Sequence, residues 1–219
     1  MAEVNLLDLY PKVKRPVEER AQLVTDQHRA VAFQFGLDYF DGDRMHGYGG
    51  YYYDPKFWQA TAIRFRDYYN LSGHSTVLDV GCAKGFLLYD LKELIPSVTV
   101  LGVDISEYAI THAHPRIKPF VRIGDARCLE FNNDSYDLVI SINTLHNLEL
   151  NECKHAILEI ERVAAGNSFI MVDAWRNEEE RKRLLRWNLT AQTYMHVEDW
   201  KALFNELGYS GDYYWFFPD

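Results

Sequence analysis

The stretch Val77-Leu78-Asp79-Val80-Gly81-Cys82-Ala83-Lys84-Gly85 decides the fold. An apolar run stops at a turn of small residues, and Phe86-Leu87-Leu88 opens an amphipathic stretch that continues to Ile95. Strand, tight turn and helix in that order begin a parallel crossover unit. Outward from it, apolar runs at 98–103, 120–123, 138–142 and 169–172 read as buried strands. Amphipathic stretches at 108–112 and 156–163 fall between them. Alternating strands and helices predict an α/β, Rossmann-like, doubly wound and mostly parallel sheet with helices on both faces. A helix at 197–207 stopped by Gly208 and a strand at 212–217 end the pattern. The sheet then has six strands, or seven if residues 190–196 add one.

Upstream, residues 1–70 read as an N-terminal helical extension with a lid, and residues 71–219 as the main domain. The extension is expected to hold one helix at 17–35 and another at 55–69. Between them, Asp41-Gly42-Asp43-Arg44 is turn-like, and Tyr48-Gly49-Gly50-Tyr51-Tyr52-Tyr53 is too polar and irregular for a core strand. That run reads as the lid, with its tyrosines as apolar walls and hydroxyl contacts; a surface patch packing the N-terminal helix is the alternative. The charged segment 177–189 reads as a solvated helix and not as a binding patch.

Composition narrows the partners. The chain has 219 residues and a net charge of −9, which disfavours a polyphosphate partner: no DNA is expected, and RNA is disfavoured. No apolar run is long enough for a bilayer and no signal peptide is visible, so a cytoplasmic protein without membrane contact is expected. Cys82, Cys128 and Cys153 are too scattered for a disulfide framework or zinc site, and no metal is expected. The 15 Tyr, 12 Phe and 5 Trp concentrate at 48–69 and 209–217, outside the expected strands that carry the main motifs.

Open parallel sheets bind ligands beyond the carboxyl ends of their strands. Each of the first four strands ends in polar or glycine-rich residues: Asp79 to Gly85, Asp104-Ile105-Ser106, Gly124-Asp125-Ala126, and Ser141 to Asn147. A carboxylate in the first turn suits an ammonium group better than a pyrophosphate, and Asp104 is placed to accept ribose hydroxyls. With Asp125 near a purine amino group, the set fits S-adenosylmethionine. A nicotinamide-dependent oxidoreductase is the less favoured alternative, since Ala83 replaces a glycine and Asp79 stands in the turn.

In order and spacing, Val77–Gly85, Gly102-Val103-Asp104-Ile105, Gly124-Asp125-Ala126 and Tyr136-Asp137-Leu138-Val139-Ile140 resemble the motifs of class I S-adenosylmethionine-dependent methyltransferases. The resemblance implies that Asp79, Gly81 and Gly85 hold the methionine part, with Ala83, a mild departure from the family's glycine, in the same cofactor-binding turn; that Asp104 takes the ribose and Ile105 the adenine face; and that Asp125 and the Ala126 backbone stand at the adenine edge. A narrower similarity of residues 48–58 and 141–148 points to small bacterial members of poorly defined substrate, which implies a hydroxyl or amino group of a small molecule such as a sugar derivative as acceptor. Ser141-Ile142-Asn143-Thr144 departs from the motif of enzymes that methylate DNA bases. A non-catalytic binder of the same cofactor is the alternative function.

A hydroxyl acceptor needs a base, and His146, just after the fourth strand, is the expected one. Asn143 is expected to serve both cofactor and catalysis, and Asn147 to orient the acceptor or cap a helix. Arg44, Tyr48, Tyr51 and Tyr53 are the expected acceptor contacts; an ion pair with Asp41 or Asp43 is the alternative for Arg44. The sequence leaves the oligomeric state open.

Overall fold

The computed structural model describes residues 1–12 and 15–218. Four helices come first: α1 (Val17–Leu23), α2 (Asp26–Ala32), α3 (Leu37–Phe40) and α4 (Pro55–Tyr69). Then follow β1 (Thr76–Val80), α5 (Phe86–Leu94), β2 (Thr99–Asp104), α6 (Glu107–Thr111), β3 (Val121–Ile123), β4 (Leu138–Ile142), α7 (Leu150–Val163), β5 (Ser168–Trp175), α8 (Glu178–Trp187), β6 (Met195–His196), α9 (Val197–Leu207) and β7 (Asp212–Phe216).

Hydrogen bonding orders the strands β3-β2-β1-β4-β5, and every pairing is parallel. β7 runs parallel to β5 along Phe169–Asp173, and the two residues of β6 pair with Ala174 and Trp175. Residues 190–196 therefore do supply a seventh strand, a two-residue one. Backbone bonds between Val4 and Tyr213 and between Tyr213 and Ala2 lay the N-terminus along β7, which shields that strand's free edge.

Alternate strand residues face opposite sides, so each face builds its own core. Leu78, Val80, Val139 and Ile170 pack with Ile157, Ile160, Trp200 and Phe204 of α7 and α9. Val77, Leu138, Ile140 and Phe169 pack with Leu88 and Leu91 of α5 and with Ala62 and Phe65 of α4. α4 has the bounds expected from sequence: Asp54 caps it, Pro55 opens it, and Asn70 in the left-handed conformation (φ 52°) ends it.

Two expectations are corrected. The helix at 17–35 is two helices, because Val24 is extended and Thr25 starts a new one through a reciprocal cap with His28. The segment 177–189 is more than a solvated helix: α8 buries Leu184, pairs Arg186 with Glu18 of α1, and carries Trp187 into the cleft described next.

Candidate active site

β1 is the point where the chain turns from building one half of the sheet to the other, and the strands open there into a cleft of about 1030 Å³. That is at the upper end of the range for small-molecule pockets, about 300–1,000 Å³. The turn after β1 is held by its backbone: the Gly81 and Cys82 amides donate to the Val103 carbonyl, at 2.8 and 3.0 Å. Gly81 has φ 86°, and a Cβ there would overlap the Thr144 side chain, so glycine is required. Ala83 accepts a left-handed φ of 48°. Gly85 caps α5, and Ile117 fills the space a side chain would need; it shapes the turn without lining the cleft.

Asp104 is tied in place by two amides, Ala83 N–H to Oδ2 at 2.7 Å and Ser106 N–H to Oδ1 at 2.8 Å. Each oxygen keeps a lone pair for a hydroxyl donor. Asp79 is 5% exposed and accepts no hydrogen bond from the described residues. Burial first, and the Asp104 charge second, push its carboxyl up to about 7. Asn143 takes φ 54° and aims a buried Oδ1 that has no partner. Ile105 is 57% exposed at the cleft. Asp125 lines it too, engaged by the Arg127 guanidinium, which holds its carboxyl below the usual range.

These features fit S-adenosylmethionine group by group. An unpartnered buried carboxylate and an orphan amide oxygen match the ammonium of an amino acid, the remaining lone pairs of Asp104 match a ribose diol, and exposed Ile105 matches an adenine face. The glycine at 81 keeps the space clear.

His146 lies at the cleft with 3% exposure. Its Nδ1 accepts the Asp173 amide N–H at 3.0 Å, so the proton of the neutral ring sits on Nε2, 3.6 Å from Asp173 Oδ2. Burial lowers its proton affinity against the opposing pull of Asp173. The neutral ring therefore has no spare lone pair, which runs against the expectation that it is the base. Asp173, at the end of β5 and 2% exposed, was not foreseen. Asn188 Nδ2 donates to it, and burial raises its carboxyl above the usual range despite His146 and Asn188. The rule that picked out the first four strand ends, applied to the fifth, would have found it.

Asn147 does not cap α7; its Oδ1 accepts the Thr190 hydroxyl at 2.8 Å. Tyr48 and Tyr51 line the cleft with their ring centroids 4.5 Å apart. Tyr53 does not: it packs against Phe86 and Tyr89 and donates to Asp90 at 2.5 Å. Arg44 pairs with neither Asp41 nor Asp43; it donates to the Gly47 carbonyl and stands 5.3 Å from the centre of the Trp187 ring. Asp41 instead receives Lys84 Nζ, at 2.6 and 2.8 Å, plus the Tyr51 amide and the Tyr108 hydroxyl. Lys84 is 4% exposed, so this pair ties the turn after β1 to the Tyr48–Tyr53 run from below the surface.

Comparison with known proteins supplies the chain's family and fold relatives. A probable tRNA methyltransferase 9B from Mus musculus is 30% identical over 121 residues, 52% of this chain and 26% of that protein. A malonyl-[acyl-carrier protein] O-methyltransferase from Hahella chejuensis is 35% identical over 69 residues, 30% of this chain and 24% of that protein. The chain thus spans about a quarter of the length of these curated relatives. The solved phosphoethanolamine N-methyltransferase 2 of Haemonchus contortus, in complex with phosphomonomethylethanolamine and S-adenosylhomocysteine, superimposes with a TM-score of 0.57 at 15% identity, over 81% of this chain and 44% of that one. This last likeness shows the shared fold. The profile of the methyltransferase-domain family Methyltransf_31 matches residues 71–216, about two thirds of the chain, and with it the whole sheet and its four strand-end motifs. The chain belongs to this family of class I methyltransferases, whose methyl donor is S-adenosylmethionine.

Proposed function

We propose that this protein transfers the methyl group of S-adenosylmethionine to a hydroxyl or amino group of a small molecule, a sugar derivative being one such acceptor. The observation that carries the reading is the continuity of the cleft: the space bounded by Asp79, Asp104 and Asn143 runs on to Tyr39, Tyr48 and Asp173. The segment from Phe35 to Tyr51 acts as its lid, latched by Lys84 to Asp41 and by the Ser106 hydroxyl to the Phe35 carbonyl at 2.5 Å. An acceptor in such a covered space is a small molecule or a chain end.

When bound, the donor supplies an electrophilic methyl group on a sulfonium. The protein's part is to hold an acceptor in line with it and to exclude water. For a hydroxyl acceptor, Asp173 takes the proton: its raised proton affinity makes it a better base than an ordinary carboxylate. His146 positions it, with Nε2–H toward the carboxylate and Nδ1 on the Asp173 amide. An amine acceptor needs only its neutral form.

The test is methyl transfer from isotopically labelled S-adenosylmethionine into fractionated metabolites. Label in a small-molecule product with matching S-adenosylhomocysteine supports the reading. Label confined to tRNA or protein, or donor binding without turnover in any fraction, rejects it.

A further inference from the structure

Beyond the donor half, the cleft carries a lining of the opposite charge. Arg20 of α1 and Arg44 of the loop after α3 both stand over the indole of Trp187, with guanidinium carbons 4.6 and 5.3 Å from the ring centre. Arg15 reaches the same ring at 5.3 Å. All of them line the cleft. The aromatic plane fixes the guanidinium groups by stacking, so their donors are preoriented.

Arg20 and Arg44 on one ring are costly unless something answers them. Arg20 is 7% exposed, and its buried Nε has no hydrogen-bond partner. Burial and the Arg44 charge pull its guanidinium down to about 10; burial and the Arg15 charge lower Arg44 as well. Among the described residues, Arg20 and Arg44 form no ion pair with a carboxylate. The nearby acids are engaged elsewhere: Asp41 with Lys84, Glu18 with Arg186, and Asp43 with the Met45 amide. Elsewhere on this acidic chain, arginines such as Arg64, Arg127 and Arg162 are paired with carboxylates. A buried guanidinium with an idle donor, set beside a second one that solvent reaches and neither neutralised by a carboxylate, is how a protein prepares a place for an anion.

We propose that Arg20 and Arg44, held by Trp187, bind an oxyanion carried by the methyl acceptor, a phosphate or a carboxylate. The inference rests on the methyl-transfer reading for the word acceptor; the anion subsite itself does not. Tyr39 and Tyr48 link the two halves of the cleft. Tyr48 lies within the electrostatic reach of Arg44, Asp104 and Asp173, and Tyr39 within that of Arg20, Arg44 and Asp104. An acceptor anchored by its anion at the arginines thus extends past these hydroxyls toward Asp173 and the donor. Arg20 is too deeply set to meet a polymer backbone, so the anion is a terminal group. A neutral sugar would leave the arginines unanswered; a sugar phosphate or an acidic sugar would not.

The experiment is calorimetric titration of the full chain, saturated with S-adenosylhomocysteine, using inorganic phosphate and then malonate as probes. The expected result is saturable binding of at least one probe, weakened about tenfold or more by Arg44→Met and by Arg20→Met. Arg44→Lys should fall between, because it keeps the charge and loses the planar fork. Arg44 sits on a loop, and unchanged S-adenosylhomocysteine affinity in each variant certifies its fold. Tighter phosphate assigns a phosphorylated acceptor, and tighter malonate an acid. Binding of neither probe to a complex that holds S-adenosylhomocysteine overturns the subsite and leaves methyl transfer standing. Binding that both Met substitutions leave unchanged overturns it too. A wild-type chain that does not hold S-adenosylhomocysteine removes the methyl-transfer reading instead.

Discussion

Replacing Asp79 with Asn should make the ligand-free protein more stable while damaging its cofactor site. The carboxylate is 5% exposed, has no protein partner among the described residues, and is pushed from 3.8 to about 7 by burial and by Asp104. A displacement of that size corresponds to about 4 kcal/mol between its two protonation states. Below about pH 4 the group is neutral in the folded and unfolded chains alike, and it costs nothing. Between pH 4 and about 7 the unfolded chain ionises first, so stability falls as pH rises; above about 7 the whole penalty is present. Asp79→Asn removes the charge but keeps a polar group, so it should gain about 2–4 kcal/mol at pH 8 and close to nothing at pH 4. For a chain of this length that is a rise in Tm of about 10 °C at pH 8. Scanning calorimetry of the ligand-free protein at pH 4, 6 and 8 reads it directly. The same variant should bind S-adenosylhomocysteine about 10- to 100-fold more weakly, because the ligand ammonium loses its buried counter-charge. Wild-type affinity should itself decline as pH drops through about 7. Equal Tm at every pH, or undiminished affinity in the variant, refutes the reasoning.

Three further substitutions probe the turn, the latch and the base. Gly81→Ala forces a side chain into a left-handed conformation, at about 1–2 kcal/mol, and against Thr144; thermal melts should show a loss beyond that figure, with weaker S-adenosylhomocysteine binding. Lys84→Met leaves the partly buried Asp41 with only the Tyr51 amide and the Tyr108 hydroxyl, and urea titration should show a loss of about 1–3 kcal/mol at pH 7. Because the Asp41 carboxyl lies below its ordinary value, the latch contributes above about pH 4 and is lost as pH falls through the lowered folded value, so wild type and variant should converge in acid. With a hydroxyl acceptor, Asp173→Asn should cut kcat by about 10²–10⁴ with S-adenosylhomocysteine affinity retained. In the pH profile of kcat for His146→Gln, a limb that shifts while a measurable rate persists marks a positioning role; a rate as low as that of Asp173→Asn would return the base to His146.

Local patterning carried most of the scaffold. The strand at 138–142 and the helices at 55–69 and 197–207 have the bounds their apolar periodicity and end signals indicate. The helix at 17–35 failed because Val24-Thr25 lies inside a continuous apolar rhythm, and only the Thr25–His28 cap reveals the restart. The cleft residues that follow β1 to β4 were legible because each sits at a strand end, a position fixed by local sequence. Arg44, Tyr48 and Tyr51 were placed on the cleft from sequence, but Arg20 and Trp187 were not, because the packing of α1 on α8 brings them together and no short motif encodes that meeting. Lys84 read as one residue of a glycine-rich turn, yet its ion pair spans 43 positions to Asp41. The aromatic excess near residue 50 proved mixed in purpose, with Tyr48 and Tyr51 on the cleft and Tyr53 packed on α5.

Calorimetric binding of S-adenosylhomocysteine to the wild-type chain and to Asp104→Ala at pH 8 tests the central claim most directly. Asp104 carries the ribose in this reading and is fixed by the Ala83 and Ser106 amides. The expected result is one site per chain in the wild type and a loss of about 100-fold or more in the variant, as for a partly buried charged hydrogen-bond acceptor that meets two hydroxyls. No binding to the wild type, or equal binding to both, contradicts it.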